Sequence, residues 1–564
     1  MLEATRFLAR RAMLGVADWF VTTPAVRWTW ASPSREEVIG ALGEFRPIDR
    51  ETVLEMMAGR YLLASRLIDT HGVSPFSIEA DDHDWDDELR SFSWLRHFRD
   101  AREEGERRFA RTLALDWIGR EGRFTKQSWS LALCSRRVLN WLRHFNLLID
   151  GASPEHTRLI MRSLGMQMQS LKLRGGLAAD PADQLFAAIA LAGVALCDER
   201  RVSELPKRRR RLMRILGEQI DQDGLHRTRS AKLQLQLLVD LETLRQALHR
   251  DHEEFEAELG LVVEDMHRAF DAISLGTGEP GYFNGTGQLA HDIVVAVQVQ
   301  STARFRSSGI AGGYGRLIEG RSVVVADSGF VPPAAYSGGM HASGLAFEFS
   351  HGAELVVGNC GPAPSELADH GLVFRQGLTH SGITVNGISA ARLPTRGLLA
   401  GRVLPKGPAP ELWEDDSEED QAITLRTHGF AKQFGVEIER RLMLMADGKT
   451  LVGQDRLIGG KPGRRIANVA AIRFHLALGT TVEEAEGEDV LRLRLASGAV
   501  WTFLWEGADM RVEDSVRQSS YFGFHRIKQI VLQSRLGGEQ EIAWVFTLDE
   551  HRHATPQGRA RQRR

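Results

Sequence analysis

Cysteine is scarce in this chain, charge is balanced, and no apolar run is long. Each absence removes a class of protein. Three cysteines, Cys134, Cys197 and Cys360, are too few and odd in number for a disulfide framework, and they read as small buried apolar residues. The formal net charge is −3, so there is no overall basic field of the kind that marks a nucleic-acid binder. The longest apolar run, Leu185 to Cys197, has 13 residues; it is too short to span a bilayer and reads as a buried helix. Met1 to Trp30 holds Arg6, Arg10 and Arg11, but the apolar segment behind them is broken by Asp18 and lacks a cleavage site. It is a poor signal peptide, and the sequence by itself favours a soluble protein with no transmembrane segment.

What remains fits a globular protein of at least two domains. At 564 residues the chain is too long for one ordinary core, and 43% hydrophobic with 26% charged residues rules out a disordered chain. From about Arg35 to Ser274 apolar residues recur at helical spacing. Ser34 suits a helix cap, with Glu36 and Glu37 in the first turn. Helices are expected over Trp129–Ile149, Pro154–Leu173, Pro181–Cys197, Pro206–Ile220, Ala231–His249 and His252–Ile273. Pro154, Pro181 and Pro206 stand at helix starts, where the missing N–H costs nothing. Consecutive helices of similar length with short polar breaks predict stacked antiparallel hairpins.

Near Ser274 the period changes. Gly276 to Gly287 is glycine-rich, contains Pro280, and reads as a linker. Its Gly276-x-Gly278-x-x-Gly281 matches a dinucleotide fingerprint by letter only, because it follows a helix and Pro280 stands where the next helix should begin. Asn284-Gly285-Thr286 is a glycosylation sequon that matters only in a eukaryotic secretory pathway. From about His291 to Leu548 the pattern is strands. Leu345, Phe347 and Phe349 alternate with small or polar neighbours, as do Ile472, Phe474 and Leu476, and Leu491, Leu493 and Leu495. Asn386-Gly387, Asp447-Gly448, Ser497-Gly498 and Gly537-Gly538 are hairpin signals. Together these predict a large antiparallel β-sandwich. The expected organisation is an N-terminal segment (1–34), a helical domain (35–275), a linker (276–290), the sandwich (291–551) and a basic, disordered tail (552–564).

Three stretches at strand edges carry a more specific signal: Gly339-Met340-His341-Ala342-Ser343, Gly358-Asn359-Cys360-Gly361 and Thr379-His380-Ser381. Their order and spacing resemble the C-terminal domain of the heparinase II/III-type polysaccharide lyases. That family carries a His-x-His-x-Asp stretch, an Asp-containing turn and an Ala-His-Asn/Ser-Thr stretch. The resemblance covers nearly the whole chain. It implies an α+β multidomain protein, with an incomplete (α/α) toroid followed by a large antiparallel β-sandwich. It implies a carbon–oxygen lyase that cleaves an acidic, uronic-acid-containing polysaccharide or glycosaminoglycan-like polymer by β-elimination. It also implies a place in the cell envelope or periplasm, in conflict with the poor signal peptide.

Such a reaction needs a base for the proton α to the sugar carboxylate, a group that neutralises that carboxylate, and an acid for the leaving oxygen. On the resemblance, His341 and His380 are the sandwich's catalytic candidates. Matched to a His, Asp, His metal site of the family, His341, Asn359 and His380 would bind zinc, with Asn359 a neutral and weaker ligand. Two histidines hydrogen-bonded at strand ends fit the same pattern. On the toroid side, His226 and Arg229 follow an Asp223-Gly224 turn and stand in for lost acid–base and carboxylate-binding groups. Arg137 and Trp141 match an Arg-x-x-Asn-Trp stretch expected to bind substrate, and equally suit an ordinary amphipathic helix. His226 and Arg229 are expected to face His341 and His380 across an interdomain groove, with Arg137 further along it.

The departures are as definite as the matches. Leu233 stands where the family has its Tyr, Gly339 where it has its first His, and residues 175–183 lack its Asn and His. Two other readings follow. One is a non-catalytic polysaccharide-binding protein of the envelope. The other is a glycoside hydrolase on the same architecture, for which Asp180, Asp183 and Asp223 are the helical-domain carboxylates.

Overall fold

The structure is a computed structural model. It describes residues 2–549 apart from 32–40, 65, 81, 199–200, 249–251, 306, 364–366, 368–369, 416–419, 462, 464–466, 485–488 and 520–522. The expected cap at Ser34 and the basic tail lie outside the described residues.

The first half is helical, as its periodicity requires. Helices run over Leu131–Arg143, Pro154–Arg174, Pro181–Cys197, Leu205–Gln219, Ala231–Ala247 and Glu253–Ala272. Their starts are chemically marked. Ser153 caps the helix that opens with Pro154 by accepting from the His156 N–H, and Asp180 caps the next by accepting from the Ala182 N–H at 2.9 Å. Three expectations need correction. The expected Trp129–Ile149 helix is two, because His144 leaves helical geometry between Leu131–Arg143 and Phe145–Ile149. A two-stranded hairpin, Arg60–Leu63 with Arg66–Asp69, interrupts the helices. The first strand beyond the linker is Gly309–Ala311, preceded by a further helix at His291–Gln298.

The second half is two antiparallel sheets. The nine-stranded sheet contains Ser322–Asp327, Ala346–His351, Glu354–Gly358, Val469–Leu476 and the long Asp509–Ser519 and Gly523–Arg535 pair. The eight-stranded sheet contains Val436–Leu444, Thr450–Gly459, Val500–Glu506 and Gln540–Leu548. Between Val323 and Leu548 the longest α-helix among the described residues is Ala431–Phe434. Asp447-Gly448 and Ser497-Gly498 turn hairpins as their sequences predict. Gly537-Gly538 does not: it carries the chain from Gly523–Arg535 in one sheet to Gln540–Leu548 in the other.

Alternating residues of the two sheets meet in one apolar core that includes Phe347, Phe474, Trp501, Phe503, Trp544 and Phe546. The Phe347 and Trp544 rings stack at 5.4 Å across the gap. Gly453, opposite Trp544 in the ladder, is required there, since a β-carbon would meet the indole at 2.0 Å. One ion pair is sealed inside this core. Arg440 and Asp455 are each 0% exposed, and Arg440 Nε donates to Asp455 Oδ1 at 2.7 Å. Trp544 Nε1 donates to Asp455 Oδ2 at 2.8 Å, and Arg440 Nη1 donates to the Leu345 carbonyl at 2.8 Å. The pair therefore bolts the eight-stranded sheet to the loop before Ala346–His351.

Removing one partner would leave a buried charge uncompensated. Arg440→Met should lower unfolding free energy by about 3–5 kcal/mol, and Arg440→Met with Asp455→Leu by less than Arg440→Met alone. Urea unfolding of the two variants measures this; a double variant as unstable as the single one would contradict it.

Candidate functional site

The helical and β halves meet around the turn that follows Asp223-Gly224. Gly224 has φ +87, and a β-carbon there would strike the Asp265 carbonyl at 2.2 Å, so the turn lies flat on the helix Glu253–Ala272. Five residues later Arg229 adopts a left-handed conformation, φ 58. This aims its guanidinium away from the helices and into the sandwich. Arg229 Nη1 pairs with Asp327 at 2.8 Å, with both side chains at most 2% exposed. Nε and Nη2 donate to the carbonyls of Gly312 and Gly313 at 2.8 and 2.9 Å, and the guanidinium lies 4.2 Å from the centre of the Tyr314 ring.

The network continues from there. Tyr314 Oη donates to the Arg229 carbonyl at 2.8 Å. Asn284 Nδ2 donates to Tyr314 Oη and to Asp327 Oδ2, and Asn284 Oδ1 accepts the His341 N–H at 3.1 Å. Asn284 is thus a buried junction residue, 1% exposed, and not a glycan acceptor.

His341 and His380 do come together, but on each other. His341 Nδ1 and His380 Nε2 are 2.8 Å apart, a hydrogen-bond distance. The outer nitrogens fix the tautomers. His380 Nδ1 lies 2.8 Å from the Gln376 carbonyl and must donate, and His341 Nε2 accepts the Gly285 N–H at 3.1 Å. His341 Nδ1 therefore donates to His380 Nε2, and both rings are neutral. Burial pushes His380 down to about 4, against the opposing pull of the Gln376 carbonyl and Asp327. Burial, then His380, then Arg375 hold His341 well below the ordinary histidine value.

These residues do not fit the zinc site that the sequence suggested. A zinc ion needs a free imidazole lone pair from each ring at about 2.0–2.1 Å. The two acceptor nitrogens are occupied, His380 Nε2 by the ring Nδ1–H of His341 and His341 Nε2 by the backbone N–H of Gly285. Asn359 is spent as well, its Oδ1 accepting the Ser381 N–H at 2.8 Å and its Nδ2 donating to the Tyr282 carbonyl. Among the described residues no group of three or more His, Cys, Asp or Glu side chains is placed to hold a metal.

The remaining expected site residues sit elsewhere. His226 is fully buried inside its own turn, with Nε2 3.0 Å from Gln219 Oε1 and Nδ1 2.9 Å from Thr228 Oγ1. Its ring meets Tyr336 of the sandwich edge-on at 6.1 Å, and its ring nitrogens are bound to helical-domain side chains instead of facing a groove. Burial pushes it down to about 3. Arg137 is fully buried in the helical core, donating to Gln167 Oε1 and to the carbonyls of Arg90 and Ser128. It lies 4.0 Å over the Trp117 ring. Trp141 is buried against Phe92 and Trp117. Neither Arg137 nor Trp141 reaches a surface that a sugar could touch. At Gly339, where the family has its first His, a β-carbon would meet nothing within 4 Å, so packing does not demand the glycine. Leu233 packs on the helical core.

The residues that organise the junction were missed by sequence reasoning: Asp327, Tyr314 and Asn284. Asp327 was visible as the charged end of an apolar strand and Asn284 as a glycosylation signal. Nothing local marks them as one network.

Comparison with known proteins agrees with this architecture. A helical half joined to a two-sheet sandwich is the architecture of the solved heparinase III structures. Residues 302–545 match the family "Heparinase II/III-like, C-terminal", so the sandwich is similar to the C-terminal domain of that family. The FtsZ-localized protein C of Caulobacter vibrioides is 26% identical over 552 residues, 94% of each chain. Crystallised heparinase III superimposes with a TM-score of 0.70 at 11% identity, covering 93% of this chain and 89% of that one. The heparan sulfate lyase HepC of Pedobacter heparinus gives 0.57 at 14% identity over 97% and 89%. At such identities the likeness is one of fold.

The histidine pair sets a pH dependence of stability. His380 ordinarily titrates near 6.5 and does so near 4 in the fold. Between those values the unfolded chain binds a proton that the fold refuses, so stability falls as pH falls through this window. His380→Gln should flatten that fall, by at most roughly 3 kcal/mol at its lower end. Urea unfolding at fixed pH values between the two limits tests it; parallel profiles for wild type and variant would refute it.

Proposed function

We propose that this chain is a non-catalytic binding protein built on the heparinase fold. One observation carries the reading: the proton-transfer candidates at the domain junction are already committed to one another. His341 and His380 are neutral, buried and hydrogen-bonded together, and Arg229 is locked to Asp327. A base for β-elimination must reach a substrate proton, and a carboxylate-binding arginine must have free donors. The name of the Caulobacter relative records a place in the cell and not a reaction, which supports the same reading. Purified protein incubated with heparan sulfate and other acidic polysaccharides should release no unsaturated uronate. Release that disappears in His380→Ala would establish the lyase instead.

A second feature supports a membrane-surface location. The N-terminal helix Leu2–Val21 is held to the body by Asp18, which pairs with Arg174 at 2.8 Å, and by Phe7, which lies under Arg402 at 4.6 Å. Its other face leaves Met13, Val16, Trp19 and Phe20 61–66% exposed, and nearby Trp28 is 79% exposed. Arg6, Arg10 and Arg11 lie along the same helix, and Asp18 is the one acid among its described side chains. Aromatic and aliphatic side chains beside arginines suit an anionic bilayer interface. No helix among the described residues is long and apolar enough to cross a membrane, so the attachment proposed is peripheral. Anionic phospholipid vesicles should sediment the protein, and Trp19→Glu with Phe20→Glu should weaken this by at least about tenfold, as expected when two buried aromatic contacts are lost. A fluorescent fusion should lie with FtsZ at the membrane and become diffuse in the same variant. Vesicle binding unchanged by the substitutions would exclude the helix as the anchor.

A further inference from the structure

The seam between the N-terminal helix and the sandwich gathers three arginines from three segments. Arg402 stacks on Phe7 and donates from Nη1 to the carbonyls of Ala334 and Ala335. Arg375 donates from Nε to the Met340 carbonyl at 2.8 Å and from Nη2 to the Gly401 carbonyl at 2.7 Å. Because Gly401 directly precedes Arg402, both guanidinium groups gather at one short loop. Arg11 follows Phe7 by one helical turn, so it reaches the seam from the same side of the helix.

The cluster is short of negative charge. Burial and the neighbouring Arg402 push Arg375 down to about 10. Burial, then Arg11, lower Arg402, and Asp180 is the acid that opposes them. Asp180 is occupied in capping the helix that opens with Pro181. Among the described residues no carboxylate is within the 4.0 Å of an ion pair with Arg375 or Arg402. Like charges held this close cost free energy that a bound anion would offset. The backbone carbonyls fix both guanidinium groups in advance, while Arg375 Nη1 and Arg402 Nη2 keep N–H groups to give.

We propose that Arg11, Arg375 and Arg402 form a binding site for a phosphate group, free or carried by a lipid headgroup. Three guanidinium groups arriving from separate segments match the three-dimensional set of phosphate oxygens better than the two coplanar oxygens of a carboxylate. The site lies between the helix and the sandwich, apart from the Arg229–Asp327 junction. It does not depend on the membrane reading, because free phosphate is enough to fill it.

The test uses full-length protein titrated with inorganic phosphate at constant ionic strength set by chloride, followed by thermal unfolding and calorimetry. Phosphate should stabilise the protein saturably. Arg402→Gln and Arg11→Gln should each weaken its binding by about tenfold, the loss of one charge-assisted contact. Lys207→Gln with Arg210→Gln, on a separate basic run, should leave it unchanged. Arg402→Gln also gives up two carbonyl contacts, so the exposed Arg11→Gln is the deciding variant. Phosphatidylglycerol vesicles supply the second arm. Displacement of the vesicles by free phosphate identifies a headgroup ligand, and phosphate binding without such competition identifies the free anion. Phosphate that stabilises no more than chloride, or that binds Arg11→Gln as it binds wild type, overturns the site. Vesicle binding lost in the Trp19 and Phe20 variant but insensitive to phosphate would leave the membrane anchor standing and reject the headgroup source.

Discussion

The buried pair between Arg229 and Asp327 fixes how the two halves of this protein sit on each other. An arginine from a helical-domain turn and an aspartate at the end of a sandwich strand are both sealed from water. Ions so placed are tolerable only with near-complete hydrogen bonding. The structure supplies it: Gly312 and Gly313 carbonyls, the Tyr314 ring, and the Asn284 amide close every side. The left-handed backbone at Arg229 is part of the same arrangement. A non-glycine residue in that region is strained, and the surrounding contacts hold it there.

That junction decides what the heparinase-like frame can do. In a lyase, the meeting place of toroid and sandwich has to keep an acid, a base and a cation available to a substrate. Here the corresponding space is occupied by side chains bonded to each other. The histidine pair is the clearest case, since each ring uses one nitrogen on the other ring and one on the backbone. Asn359 repeats the pattern, tying Ser381 to Tyr282. Polar residues that resemble a reactive set have become the cross-links of a rigid joint. The proposed binding role is compatible with such a joint, because a fixed joint holds surfaces in a constant relation.

Those surfaces lie outside the junction. The N-terminal helix touches both halves, through Asp18 to the helical domain and Phe7 to the sandwich, and shows solvent an apolar stripe beside arginines. It is the part of the described structure least explained by folding alone, because burying those aromatic side chains against the body would have been the ordinary outcome. The sandwich holds a second sealed pair, Arg440 with Asp455, and Arg440 also donates to the Leu345 and Ser381 carbonyls.

Local chemistry was legible from the sequence where it acts over a few residues. Proline and capping residues marked the helices that begin at Pro154 and Pro181, and alternation marked the strands through Phe347, Phe474 and Leu493, because these signals depend on spacing along the chain. The order of the His341, Asn359 and His380 stretches carried the family resemblance. Their chemistry was not legible. Whether an imidazole is a base, a metal ligand or a cross-link depends on which groups stand opposite its two nitrogens, and those groups, Gly285 and Gln376, come from other segments. Arg137 and Trp141 failed as substrate contacts for the same reason, since an amphipathic helix does not say which of its faces the core will cover. Gly537-Gly538 read as a hairpin because a glycine pair permits a tight turn, but the partner of a strand is chosen by the packing of two sheets. The sequence by itself determined most of the elements, their order and the resemblance to the family. Only the tertiary structure decided that the polar residues at the joint would neutralise one another, because burial and pairing are properties of distant segments brought together.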